Sequence, residues 1–470
     1  MWNFSDKDER TAIIDDRGQM LSYGELEKFG EDLCKVIGTR CMVFLFCKNC
    51  LGSLIGYIGF INGGIVPAML KADLDEDMLN CLYQKYHPSY LWIGESNISY
   101  SLLQECKKVY ECFEYILYKT PYAGTDVALY DELALLLTTS GSTGSPKFVR
   151  QSYKNMRANI ENIVSFLKIS DTERPITTLP INYTYGLSVV NTHLDVGATI
   201  LLTDKSVVQK EFWDFFMERR ATSFSGVPYT YETLNRMHFT VKNYPSLRYM
   251  TQSGGKLRAE LHQAFAKDAR ESNKKFVVMY GQCEGTAVLA YVPVPYEFEK
   301  VGSMGIAVPN GRMALIDVQG NEIEEANTNG EIVYYGDDVT LGYAECLEDL
   351  CKGDERAGCL KTGDIAYKDK DGFFYFAGRR KRFLKILGNR ISLDEVEQIL
   401  KVGFPDMDVA CAGVDDQMDI FYTKSCMKEE IQRFLLKKTG LHRNAFRMIY
   451  LENIPKNESG KTLYKELMKQ

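Results

Sequence analysis

A chain of 470 residues is too long for one ordinary hydrophobic core, and its length suggests about three domains or subdomains. With 56 basic against 63 acidic residues, the net charge of -7 offers no electrostatic footprint for nucleic acid. Thirteen cysteines, behind an opening MWNFSDKDER that lacks an apolar signal region, imply reduced thiols and a cytoplasmic protein rather than a disulfide framework.

In chain order, Ser22 and Glu25 have capping-box spacing. Leu26, Phe29, Leu33, Val36 and Ile37 recur at helical intervals up to Gly38, so the spacing predicts a helix over 21–38. A strand is predicted at 41–47, ending in Cys47; the Cys47/Cys50 pair has no second pair to complete a zinc set, and no metal site of Cys/His type is expected. The stretch 51–70, LGSLIGYIGFINGGIVPAML, is long enough to span a membrane. Its five glycines, proline and asparagine read instead as close packing inside an α/β domain, and no membrane span is expected.

The apolar run 133–137 opens into TTSGSTGSPK, 138–147. Small hydroxyl residues, glycines that turn backbone N–H groups toward an anion, and a closing lysine suit a polyphosphate. The usual nucleotide pattern fails, because Pro146 stands where its second glycine belongs and Phe148 where its metal-binding hydroxyl belongs. Ser459-Gly460-Lys461-Thr462 fails too, since the glycine required upstream is Pro455. Beyond the loop, a helix is predicted at 155–169 and strands at 175–181, 198–203, 221–224, 247–251 and 276–279, with a helix at 211–219. Several of these strands end in glycines and polar groups, and in open α/β sheets ligands bind at the carboxyl ends of strands. From about residue 301 short strands and tight turns take over, as in 365–367, Asp369-Lys370-Asp371-Gly372 and 373–376. The basic run 378–382 then marks a junction with an α+β segment of about 90 residues.

Seven blocks stand in one order: TTSGSTGSPK, LPINYTYGL at 179–187, QSGGKL at 252–257, MYGQCEG at 279–285, KTGD at 361–364, GRRKRFLKILGNRIS at 378–392 and IPKNESGK at 454–461. In these the chain resembles the adenylate-forming (ANL) superfamily of acyl-CoA synthetases, peptide-synthetase adenylation domains and luciferases, over nearly its whole length. The resemblance implies an α/β fold: a large N-terminal domain, 1–379, of sandwiched α/β subdomains with a β-rich subdomain at 301–379. A small, mobile α+β lid at 380–470 follows, hinged at Lys381. It implies an AMP-forming ligase in which a carboxylate attacks the α-phosphate of ATP, pyrophosphate leaves, and the acyl-adenylate is passed to a thiol.

By the same resemblance, Thr139, Ser140, Gly141, Ser142, Thr143, Gly144 and Lys147 hold phosphates, and Glu284 ligates Mg²⁺. Thr143, Glu284 and Lys461 carry the chemistry, with Lys461 meeting the attacking carboxylate and the α-phosphate. Tyr280 stacks on adenine beside Gly254, Gly255 and Gly281, while Asp364 accepts from the ribose hydroxyls, helped by Arg379. Tyr183, Tyr185, Gly226 and Val227 line the acyl pocket, and Gly388 faces a thiol channel. Two positions depart from the family: Cys283 stands where threonine is usual, and Tyr464 where a basic residue is common. No carboxylate stands among Asn182, Tyr183, Thr184 and Tyr185 to pair an α-ammonium, which argues against an amino acid, while the two aromatics and small residues of the implied pocket suit a modest aryl or short acyl acid. Lys256 is read as facing solvent. The acceptor is CoA or the phosphopantetheine of a separate carrier protein, since the chain stops soon after Lys461; a degenerate nucleotide-binding protein without turnover is the reading of another class.

Overall fold

A computed structural model describes residues 1–470 apart from 96–98, 126, 139–146, 380–381, 387–388, 415, 440, 458–459 and 469–470. The described chain forms two compact units, one built from residues up to 312 together with Tyr334–Leu360, the other from Met313–Val333 and Lys361–Gln470. The boundary expected near residue 380 therefore falls inside the second unit.

The first unit carries two sheets. In one, Met42–Cys47 pairs in parallel with Val66–Lys71, which pairs with Leu133–Thr138; Phe148–Ser152 and then Gly342–Ala344 add antiparallel. In the other, Ser223–Gly226, Tyr249–Gln252 and Lys275–Tyr280 run parallel at the centre. One core draws Leu45 and Leu137 from the first sheet, Ile200 from the second, and Leu26, Leu54 and Leu187 from helices. That is the sandwiched α/β arrangement expected from the sequence.

Local chemistry explains the elements. The helix Tyr23–Ile37 starts at Ser22, whose hydroxyl accepts from the Glu25 N–H while the Glu25 carboxylate accepts from the Ser22 N–H, a reciprocal cap that contributes about 1 kcal/mol. It stops at Gly38, which takes a left-handed φ of 76°. Residues 51–70 fold as the buried twelve-residue helix Leu51–Asn62 followed by a strand, and among the described residues no helix is long and apolar enough to cross a membrane. Its glycines serve packing: a Cβ on Gly59 would lie 2.6 Å from the Cα of Gly30, so the two helices meet backbone to backbone.

The strand expected over 175–181 is only Pro175–Ile176, and the helix Thr184–Val196, not expected at all, begins at the eighth residue after it. The apolar residues at 179–181 alternate too briefly to separate a strand from a loop entering a helix. In the second unit, Cys359–Lys368 and Phe374–Arg379 form the predicted hairpin, its turn held by the Asp369 carboxylate accepting from the N–H groups of Asp371 and Phe373 at 3.0 and 2.9 Å. A separate core around Leu384, Val396, Ile420 and Leu435 fills the C-terminal part of that unit.

Candidate active site

Register levels the ends of three parallel strands. Gly226 pairs with Gln252, and Gln252 with Val278, so Val227 and Ser253-Gly254 leave their strands level with Met279-Tyr280, the last residues of a strand that still pairs with Tyr291 and Ala290. The Gly254 turn is held by the Gln252 side-chain amide, which donates to the carbonyls of Gly255 and Ser253 at 2.9 and 3.1 Å. Gly254 has a φ of 85°, and a Cβ there would stand 2.5 Å from the Tyr183 hydroxyl and 3.1 Å from Val227 Cγ1. Gly281 is as tightly constrained, since a Cβ would lie 1.7 Å from the Ala287 carbonyl oxygen. Tyr183 and Val227, expected in the acyl pocket, thus stand beside Gly254, expected at the adenine.

Tyr183 and Tyr185 flank this opening edge to face, ring centroids 6.4 Å apart. The buried Tyr185 hydroxyl lies 2.6 Å from Thr251 Oγ1, which lies 2.8 Å from Ser225 Oγ. Burial raises the pKa values of both tyrosines, so both act as neutral hydrogen-bonding groups. A small cavity is lined by Tyr185, Ser188, His193, Tyr249 and Thr251. Lys256 is exposed by surface area, yet desolvation lowers the pKa of its ammonium, so its charged end is not simply in open solvent.

Glu284 stands on the single turn Cys283–Gly285 directly after the strand Lys275–Tyr280. The residue after that turn, Thr286, has a φ of 63° and a ψ of -52° and centres a γ-turn closed by the Ala287 N–H donating to the Gly285 carbonyl at 2.7 Å, a strained conformation that costs a β-branched residue on the order of 1–3 kcal/mol. Four contacts hold it: its hydroxyl donates to the Asp338 carbonyl at 2.6 Å, its own carbonyl accepts from the Thr184 hydroxyl and from the Gln151 amide at 3.5 Å, and its N–H donates to the Cys283 carbonyl at 3.2 Å. The Glu284 carbonyl accepts from the Thr340 N–H and hydroxyl at 3.1 and 3.0 Å and from Arg356 at 3.1 Å. Its side chain accepts at Oε1 from the Tyr343 hydroxyl at 2.6 Å. The Tyr343 ring lies 3.5 Å below the Lys147 ammonium and 4.9 Å from the Arg356 guanidinium.

Lys147 and Glu284 are therefore joined through one aromatic side chain. Tyr343, Arg356 and Thr340 belong to none of the seven sequence blocks. Tyr343 reaches the site because Gly342–Ala344 pairs with the strand that starts just after Lys147, Tyr343 opposite Val149, and nothing local at 342–344 announces that pairing.

In the second unit, Asp364 and Arg379 face each other across the hairpin and form an ion pair at 3.3 Å, the aspartate buried and the arginine side chain 59% exposed. Lys461 closes a tight turn in which Asn457 and Lys461 exchange hydrogen bonds at 2.8 Å through Asn457 N to Lys461 O and Lys461 N to Asn457 Oδ1. Tyr464 is structural: its hydroxyl donates to the buried Glu397 carboxylate, 2.9 Å from Oε2, and the Arg382 guanidinium lies 3.6 Å from its ring. A basic residue at 464 would face Arg382 instead of that carboxylate alone. Thr139, Ser140, Gly141, Ser142, Thr143 and Gly144, the hinge Lys381, and Gly388 lie outside the described residues.

Among curated proteins, the chain is 29% identical over 353 residues to the oxalate–CoA ligase of Arabidopsis thaliana, covering 70% of this chain and 66% of that protein. It is 28% identical over 356 residues to 4-coumarate–CoA ligase 1 of Petroselinum crispum, covering 72% of this chain and 65% of that protein. The chain thus spans just under two thirds of the length of these relatives. Among solved structures, O-succinylbenzoate coenzyme A synthetase (MenE) of Bacillus subtilis with AMP superposes with a TM-score of 0.78 at 21% identity, covering 98% of this chain and 96% of that one. ATP-bound MatB of Rhodopseudomonas palustris does so at 0.78 and 19% identity, over 99% and 96% of the two chains. These structural likenesses establish the fold. The family described as AMP-binding enzyme matches residues 2–344, and the chain belongs to that family.

Proposed function

We propose that the chain activates a small carboxylic acid with ATP, releasing pyrophosphate and forming an acyl-adenylate, and then transfers the acyl group to CoA. The observation that carries this reading is the joined set Lys147, Tyr343 and Glu284 beside the strand ends that carry Gly254 and Tyr280, in a chain of the AMP-binding family. The relatives are named as CoA ligases, which favours CoA over a carrier protein as the acceptor. A related fold is known with ATP and magnesium bound.

The residues fit a magnesium ion. Glu284 presents a carboxylate whose Oε1 is already fixed by Tyr343, and among the described residues no hydrogen bond is made to Oε2. Magnesium is commonly held by one or two carboxylates together with phosphate oxygens and water. When bound, it neutralises charge on the phosphates and orients them. The chain supplies the rest. Lys147 offers a point charge to the leaving pyrophosphate, and Tyr280, Gly254, Gly255 and Gly281 frame the adenine. Asp364, held by Arg379, accepts from ribose hydroxyls. Thr139, Ser140, Gly141, Ser142, Thr143 and Gly144 are assigned the phosphates, and a lid at 380–470 hinged at Lys381 belongs to the same proposal.

The neutral hydroxyl pair of Tyr185 and Thr251 suits an acid of modest size, aryl or short acyl, rather than a long alkyl chain. An acid-panel assay of pyrophosphate release, with product masses taken before and after CoA is added, tests the reading. No release with any acid removes it; release without a CoA product, restored by a phosphopantetheinylated carrier, moves the acceptor. Lys461 is assigned the developing charge at the α-phosphate. Lys461→Ala should lower adenylation on the order of 10²-fold or more, yet leave thioester formation from synthetic acyl-adenylate nearly intact. Equal losses in both half-reactions would remove that role.

A further inference from the structure

We propose that Tyr343 is a positioning residue that couples the metal-binding carboxylate to the phosphate-binding lysine, so that cation and nucleotide are bound cooperatively. The proposal rests on the roles given above to Glu284 and Lys147. Its own basis is the geometry of one side chain. The Tyr343 hydroxyl donates to Glu284 Oε1 at 2.6 Å, while its ring face receives the Lys147 ammonium at 3.5 Å from the centroid.

Each half of the side chain has a separate job. The hydroxyl fixes one carboxylate oxygen, which turns the other in a set direction; partners of this kind behind a metal ligand are typically worth 10–100-fold in metal affinity. The ring gives the lysine a seat that costs less desolvation than a buried apolar wall, and a cation over an aromatic face gains roughly 0.5–2 kcal/mol. Arg356 completes the frame, donating to the Glu284 carbonyl and to the Thr340 hydroxyl while lying 4.9 Å from the same ring. The strand pairing of Tyr343 with Val149 ties the ring's position to the segment that carries Lys147. A ring placed only for packing needs neither its hydroxyl on Glu284 nor an ammonium on its face.

Two variants separate the halves in the full-length protein. Tyr343→Phe keeps the ring and removes the hydroxyl; Tyr343→Leu removes both. Binding of Mn²⁺ is followed by electron paramagnetic resonance with and without α,β-methylene-ATP, and nucleotide binding by calorimetry at saturating Mg²⁺. For Tyr343→Phe the expected result is about a 10-fold or greater loss of Mn²⁺ affinity in the ternary complex. Its nucleotide affinity at saturating Mg²⁺ should change less than about threefold, and its thermal midpoint should stay close to wild type. For Tyr343→Leu a further loss of nucleotide affinity of about threefold or more is expected. Wild-type Mn²⁺ affinity in Tyr343→Phe overturns the proposal, as does equal nucleotide binding in the two variants. If the wild-type protein itself binds no Mn²⁺ with the analogue and releases no pyrophosphate, the underlying assignment fails and takes this one with it. Release by the wild type with an unaltered Tyr343→Phe overturns the coupling alone.

Discussion

His193 is fully buried on the helix Thr184–Val196, and its two ring nitrogens have different partners. Nδ1 lies 2.7 Å from the Val189 carbonyl, which can only accept, so Nδ1 carries the proton and Nε2, 2.9 Å away, accepts from the Tyr249 hydroxyl. Burial holds the pKa down at about 4, against 6.5 for an exposed histidine. The unfolded chain therefore takes up a proton as pH falls through about 6.5 while the folded chain does not until about 4, and stability is lost across that window. Between about pH 7 and about pH 5 the loss from this one residue is about 2 kcal/mol. His193→Gln, which offers an amide donor and acceptor but does not titrate, should flatten that part of the profile. Urea midpoints at the two pH values give the comparison; an unchanged acid slope in the variant assigns the slope to other groups.

At the scale of elements, the site depends on how the strand Phe148–Ser152 grips the segment that follows Leu341. Arg150 is fully buried, and its guanidinium donates to the carbonyls of Tyr343 at 3.1 Å, Gly353 at 3.2 Å, Leu341 at 3.4 Å and Lys352, and to the Glu355 carboxylate. A planar five-donor fork can serve so many acceptors, whereas a lysine ammonium has three donors on one point. Arg150→Lys should therefore leave at least two of these five acceptors, most of them only partly buried, without this donor and cost about 1–3 kcal/mol. Because the same strand aligns Tyr343 with Val149, nucleotide affinity should fall with stability. A variant as stable as wild type would show that the carbonyls find water instead. Arg150 also marks a limit of reading from sequence. The phosphate-like stretch and the strand-end glycines were legible because each is a local pattern: apolar run, then small residues, then charge. Arg150, Tyr343 and Arg356 act across about 190 positions of chain or from outside any pattern, and only the antiparallel pairing brings them in.

At the scale of the molecule, an α/β architecture and the β-hairpin at 359–379 follow from periodicity, the sandwiched arrangement follows only from the family resemblance, and the division of the chain follows from neither. Residues 313–333 and 361–379 belong to the same compact unit as the C-terminal segment, while 334–360 belong to the first unit. A basic run reads as a junction in sequence; in the structure its Arg382 is an interior residue of the second unit. Its side chain is only 13% exposed and donates to Asp394 at 2.6 Å, to Glu397 at 2.5 Å and to the Cys411 carbonyl at 3.2 Å. Glu397 is buried and takes further hydrogen bonds from Tyr464 and from the Cys411 N–H. Arg382→Met removes the cation closest to that buried carboxylate and leaves only Lys401, 3.8 Å from its Oε2 and half exposed; breaking a buried pair typically costs about 3–5 kcal/mol, and the remaining lysine holds the loss to the lower end of that range. Since each unit has its own core, calorimetry of the wild type should depart from a single two-state transition. In Arg382→Met one transition should fall by several degrees, about 2–4 °C for each kcal/mol at this size, while the other stays within about a degree. A single transition that moves as a whole would mean that the two cores melt as one cooperative body.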